Sequence, residues 1–183
     1  MKILAFSNFK IKIISLLYGI FCHLSFAISV SCMFWVLYNG FTVSLGSVKQ
    51  PLSIIINFFL LLQFPILHSF LLTDSGRRVL RYLAPRNYAK TLETTIYATI
   101  ASIQLLLLFV LWSPSNIIIY DLKFPFNIIN IILYISAWFL LSISSFQAGY
   151  KVQTGSLGWT SMFFLKEPKC VISSFFLFAP TPG

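Results

Sequence analysis

The sequence predicts an all-α protein, a polytopic membrane helix bundle with four transmembrane helices and both termini in the cytoplasm. Three observations lead there. Of the 183 residues, 58% are hydrophobic and 9% are charged, against about 25% charged in a soluble domain. The apolar residues gather into four runs of about 20 residues or more, the length that crosses ~30 Å of hydrocarbon as a helix. The cations collect in the short segments joining these runs, as topology signals do. A formal charge of +9 is therefore read as orientation, and nucleic acid is excluded as a partner.

The first run, 13–38, follows Lys2, Lys10 and Lys12. It is too long for a signal-peptide core of about 7–15 residues and lacks a small-x-small cleavage site. Residues 1–12 are expected in the cytoplasm, with the run acting as a signal anchor. Gly40 and Gly46 mark a short outer loop, and the second span covers 51–72. Thr73, Asp74, Ser75 and Gly76 read as a turn. Arg77, Arg78, Arg81, Arg86 and Lys90 then alternate with Val79, Leu80, Tyr82 and Leu83. That pattern predicts an interfacial amphipathic segment ended by Pro85.

The third span covers 91–112 and stops at Ser113, Pro114, Ser115 and Asn116; the fourth covers 126–147. Residues 148–183 read as a cytoplasmic or interfacial tail, with a change of character from Cys170. With the N-terminus inside, only Lys49 and Lys123 lie in the outer loops. The lipid bilayer is thus the first partner, and the expected location is a bacterial inner membrane, multi-pass. Cys22, Cys32 and Cys170 have no CxxC spacing and read as small packing residues.

At about 100° per residue, each span carries one small or polar stripe. Ser15, Tyr18, Gly19, Cys22, Ser25 and Ser29 align on the first. Ser53, Asn57 and His68 align on the second, and Glu93, Tyr97 and Gln104 on the third. Asn127, Asn130, Tyr134, Trp138, Ser142, Ser145 and Gly149 align on the fourth. Helix packing explains most such positions, because membrane interfaces favour small and hydroxyl residues.

Depth separates a few residues from that background. His68 lies about one turn from the inner end of its span, and Glu93 and Tyr97 lie in the first two turns of theirs. Gln147 and Tyr150 close the fourth span on the same side. With Arg77 and Arg78 they predict a polar pocket open to the cytoplasm. A polar group inside hydrocarbon is a functional-site candidate, which adds Gln63. Bland alternatives exist: Glu93 suits a helix's first turn, and the arginines suit lipid headgroups. No Ser-His-Asp, HExxH or Walker pattern appears, and no metal site is expected.

Phe59 to Ser69, with its Gln63-x4-His68-Ser69 block, resembles a segment of the nurim and methanethiol S-methyltransferase family of membrane methyltransferases. The resemblance continues through Arg77-Arg78, Leu92 to Tyr97, Leu106 to Pro114 and Tyr120-Asp121. NnrU proteins and isoprenylcysteine carboxyl methyltransferase are more distant likenesses. The resemblance implies a multi-span enzyme that moves a methyl group from S-adenosylmethionine to a small thiol, methanethiol becoming dimethyl sulfide. It implies His68 and Glu93 as catalytic residues, and Arg77, Arg78, Gln147 and Tyr150 around the cofactor. Gln63 and Tyr97 would line the substrate pocket.

In that family the cofactor segment resembles Arg-His-Pro or Arg-Gln-Pro downstream, and nothing like it follows Lys169. The expectation is therefore a truncated or frame-shifted member, inactive if the cofactor region is lost. The alternative expectation is a non-enzymatic membrane protein of envelope or complex assembly.

Overall fold

A computed structural model describes residues 2–115 and 122–168, with side chains from residue 8 onward. Every regular element among these residues is a helix. In order they are α1 (Lys2–Tyr38), α2 (Leu52–Leu72), α3 (Asp74–Tyr82), a 3₁₀ turn (Arg86–Tyr88), α4 (Ala89–Leu111), α5 (Phe126–Gln147), α6 (Tyr150–Gln153) and α7 (Ser156–Phe163). The stretches Asn8–Tyr38, Leu52–Leu72, Arg86–Leu111 and Phe126–Gln147 are each helical, long and apolar enough to cross a membrane. Their outward faces are apolar, with Phe59 63% and Phe139 66% exposed. That is the surface a bilayer, not water, would cover.

The ends of the helices follow from local chemistry. No glycine or proline interrupts residues 2–13, so α1 starts earlier than its apolar run and includes Lys10 and Lys12. Pro51 sits at the start of α2, where its missing N–H costs nothing. Pro65 lies inside α2, which runs through it. The expected turn at 73–76 is instead a helix start. Thr73 Oγ1 accepts from the Gly76 N–H at 3.2 Å, and Asp74 occupies the first turn of α3, where its charge suits the helix dipole. Gly76 is needed there because an added Cβ would meet the Phe70 carbonyl oxygen.

α4 is the central helix, packed against α1, α2, α3 and α7. Two apolar clusters mark its ends. Leu92 and Ile96 meet Leu71, Leu80 and Met162 near the cations, with Ile11 and Tyr18 packed alongside. Leu108 and Phe109 meet Val36 at the far end. The first cluster gathers Lys12, the arginines of α3 and the start of α4 at one end of the bundle, here called the basic end. At the opposite end Asn57 Nδ2 donates to the Ser113 carbonyl at 2.8 Å, and the Ser113 N–H donates back to Asn57 Oδ1 at 2.9 Å. The Val48 N–H donates to Ser113 Oγ at 3.3 Å, which ties the connecting loop to the same point.

Residues 148–168, expected as a cytoplasmic or interfacial tail, pack back onto the long helices. α7 lies against both α1 and α4. Gly155 adopts φ +71°, and a Cβ there would stand 2.8 Å from Cys22 Sγ and 2.7 Å from the Ala98 Cβ. A Cβ on Gly158 would stand 2.5 Å from Thr95 Oγ1, and one on Gly19 would stand 2.6 Å from the Trp159 ring. These three glycines allow the approach. The small stripe on α1 is therefore a packing surface, with Ser15, Cys22 and Ser29 fully buried.

The matching stripe on α5 packs more loosely, with Tyr134, Trp138 and Ser145 half-buried. No residue of α5 is buried. It is held to α1 by Tyr134, whose hydroxyl donates to the Phe34 carbonyl at 2.6 Å, and by ring contacts of Tyr134 and Trp138 with Phe34. The expectations for Cys170, for the change of character beyond it and for Tyr120-Asp121 lie outside the described residues.

Candidate functional site

Between α2 and α4 a line of polar side chains runs from the basic end into apolar surroundings. Its centre is His68, whose Nε2 lies 2.7 Å from the Tyr97 hydroxyl. Phe64, one turn earlier on α2, stacks on the imidazole with centroids 5.2 Å apart and planes inclined by 22°. The α-helical i, i+4 spacing brings those two rings together. The other ring nitrogen, Nδ1, is buried with no hydrogen-bond partner. A neutral imidazole has one donor and one acceptor nitrogen. Whichever tautomer His68 takes, Tyr97 satisfies one nitrogen and leaves the other available.

One turn toward the basic end on α4 stands Glu93. Its Oε2 receives the Arg81 Nε–H at 2.8 Å, and its Oε1 lies 3.6 Å from Arg77 Nε. Arg77 and Arg81 are one turn apart on α3, so both reach the same carboxylate. The Glu93 side chain is 17% exposed, against 49% for Arg77 and 36% for Arg81. The structure thus gives Glu93 two guanidinium partners. Arg81 belongs to the segment expected to be interfacial and amphipathic, and nothing in the local sequence marks it as the closer partner.

Deeper between the helices, Gln63 Nε2 donates to the Gln104 carbonyl oxygen at 3.1 Å. The Gln104 side chain is buried, and neither its Oε1 nor its Nε2 has a partner. Gln63, His68 and Tyr97 therefore lie on the α2–α4 interface, and Glu93, one turn away on α4, faces α3.

The remaining expected residues lie elsewhere. Tyr134 of α5 is level with Phe34 of α1. From there α5 descends about 20 Å to Gln147, while α1 descends about 33 Å to Lys12 at 1.5 Å per residue. Gln147 therefore comes level with Phe21 of α1, beside Cys22, which approaches Thr95 of α4, but it is exposed. Gly149 then turns the chain with φ +93°. Tyr150 meets Phe146 in a tilted ring contact at 5.6 Å and lines a groove along α7. Arg78 Nη2 donates to Ser75 Oγ at 3.1 Å.

Arg77, Arg78, Gln147 and Tyr150 therefore do not form one cradle. A bound S-adenosylmethionine needs a partner for its carboxylate beside the surfaces that hold its adenosine. Here Arg77 faces Glu93, Arg78 faces Ser75, and the groove beside Tyr150 is lined by neither arginine. The four residues do not fit that cofactor.

A second polar cluster was missed by sequence reasoning. The Thr95 hydroxyl donates to the Gly155 carbonyl at 2.6 Å and accepts from the Trp159 N–H at 2.9 Å. The Trp159 indole N–H donates to His23 Nε2 at 3.0 Å. Indole nitrogen only donates, so His23 accepts and is a docking residue for α7. The spacing Gly155-x-x-Gly158 was the available signal. No family profile matches this chain, and neither a curated protein nor a solved structure matches it.

Proposed function

We propose that the chain crosses a bilayer four times with its basic end in the cytoplasm, and that His68 and Tyr97 handle the acceptor proton in methyl transfer to a small thiol. The observation supporting this reading is the 2.7 Å His68–Tyr97 hydrogen bond inside an apolar interface, with His68 Nδ1 left available. An apolar thiol reaches such a place through lipid. His68 takes the thiol proton, and the resulting thiolate is the nucleophile. Tyr97 holds the imidazole in position through its hydroxyl. The resemblance names S-adenosylmethionine as methyl donor. The residues assigned to it do not gather, so the reading is confined to the acceptor half of the reaction.

The test uses membranes from cells expressing the chain, supplied with methanethiol and S-adenosylmethionine, with dimethyl sulfide measured in the headspace. Dimethyl sulfide above the empty-vector level, lost in His68→Ala, is the expected result. Wild-type membranes no better than empty vector would end the methyl-transfer reading.

A second reading, a non-enzymatic subunit of a membrane assembly, is favoured by α5, which buries none of its residues within this chain. A photo-crosslinker at Phe139 would capture a defined protein under that reading. Capture of lipid alone would dismiss it.

A further inference from the structure

A groove of about 820 Å³ runs along α7, apart from the His68–Tyr97 interface. Two ammonium groups, Lys151 and Lys166, line it together with the carboxylate of Glu167. The ion pairs among the described residues involve Glu93 with Arg77 and Arg81, so neither lysine is neutralised by a carboxylate there. Two cations against one anion leave the lining one positive charge in excess. Ser156 and Thr160 supply hydroxyl oxygens, and Leu157 and Phe164 supply apolar wall.

The depth of the groove defines its ligand. The ring of Phe163, at the end of α7, lies 5.6 Å from Lys12 Nζ, which sets that end level with the cations of α1. The start of α7 approaches Thr95 and Cys22. Thr95 is about 8 Å along α4 from Lys90 at 1.5 Å per residue. The eight residues of α7 rise about 12 Å, so the groove reaches from the level of the cations across one headgroup layer, roughly 6 Å thick, to the start of the hydrocarbon. At that level a phospholipid carries its phosphate, glycerol and esters.

We propose that this groove binds one anionic phospholipid from the leaflet at the basic end. Lys151 and Lys166 hold the phosphodiester, and Leu157 and Phe164 meet the start of an acyl chain. The excess positive charge selects a headgroup without a compensating cation. A free phosphate shares the anionic oxygens but has nothing for the apolar wall. The proposal needs the chain to lie in a bilayer; it does not need methyl transfer.

The test is native mass spectrometry of the full chain in detergent with added phosphatidylglycerol, phosphatidylcholine or inorganic phosphate. A retained phosphatidylglycerol adduct is expected, weakened about tenfold or more in the Lys151→Ala, Lys166→Ala pair, since each cation near a membrane surface contributes appreciably. The Lys151→Arg, Lys166→Arg pair should keep the adduct. So should the Lys49→Ala, Lys123→Ala pair, whose positions flank the opposite end. Equal retention of phosphatidylcholine would overturn the proposal. So would an adduct unchanged in the double alanine chain, or displacement of the lipid by equimolar inorganic phosphate. If the double alanine chain does not fold, Lys166→Ala alone decides the matter by the same readings.

Discussion

Asn57 and Ser113 exchange two hydrogen bonds, side-chain amide to backbone carbonyl and backbone N–H to side-chain oxygen, at 2.8 and 2.9 Å. Ser113 is the second residue past the end of α4, where the chain would otherwise leave its backbone groups unpaired. Asn57→Ala would strand one buried N–H and one carbonyl. The expected cost is about 1–3 kcal/mol, read as a lower unfolding midpoint in detergent. Asn57→Asp should cost at least as much, since it sets a carboxyl oxygen against the buried Ser113 carbonyl. No shift in either variant would mean that the pair does not hold α2 to α4.

Gly158 approaches Thr95 so closely that an added methyl group would stand 2.5 Å from the threonine hydroxyl and 2.7 Å from the Thr91 carbonyl. Backbone cannot yield as a flexible side chain can. Gly158→Ala should cost about 1–3 kcal/mol through overpacking and should lift α7 off α4. Trp159 reports this directly, because its indole N–H bonds to His23. A red-shifted tryptophan emission is expected, and an unchanged spectrum would contradict the close contact.

Arg81 and Glu93 form a 2.8 Å ion pair in which the arginine is 36% exposed. Solvent screening keeps such a pair weak, so a double-mutant cycle with Arg81→Ala and Glu93→Gln should give a coupling of at most about 1 kcal/mol. Arg77 remains within 3.6 Å of the carboxylate and should lessen the effect of Arg81→Ala alone. A coupling of several kcal/mol would show a much drier site.

His68 and Tyr97 should contribute unequally to dimethyl sulfide formation. His68→Ala removes the base and should lower the rate by about 10²–10⁴-fold. Tyr97→Phe keeps the ring and loses only the hydroxyl, so a drop of about tenfold is expected. Initial rates at saturating methanethiol separate the two. A Tyr97→Phe chain as impaired as His68→Ala would make the hydroxyl, not the imidazole, the essential group.

The long helices were legible because hydropathy reports the solvent directly. Their ends near Tyr38, Leu72, Leu111 and Gln147 fall within one residue of the expected ones. His68 and Tyr97 were legible as neighbours because helical rise alone puts them at one depth. Gln147 and Tyr150 reach that depth by the same arithmetic, but the exposure of Gln147 and the left-handed turn at Gly149 keep them off the α2–α4 interface, and neither follows from periodicity. The Arg81–Glu93 pair crosses the Pro85 turn, so it depends on how α3 folds back. α7 was hidden for a different reason. Eight residues are too few for a span, and only the three-dimensional fit of Gly155 and Gly158 shows where they go.

The wedge formed by α7 has a consequence for biosynthesis. Its seat is made by α1 and α4, which leave the ribosome well before residues 155–163 do. Cys22, Thr95 and Ala98 must therefore wait uncovered until α5 and α6 have been made. α7 then drops into that seat and covers all three.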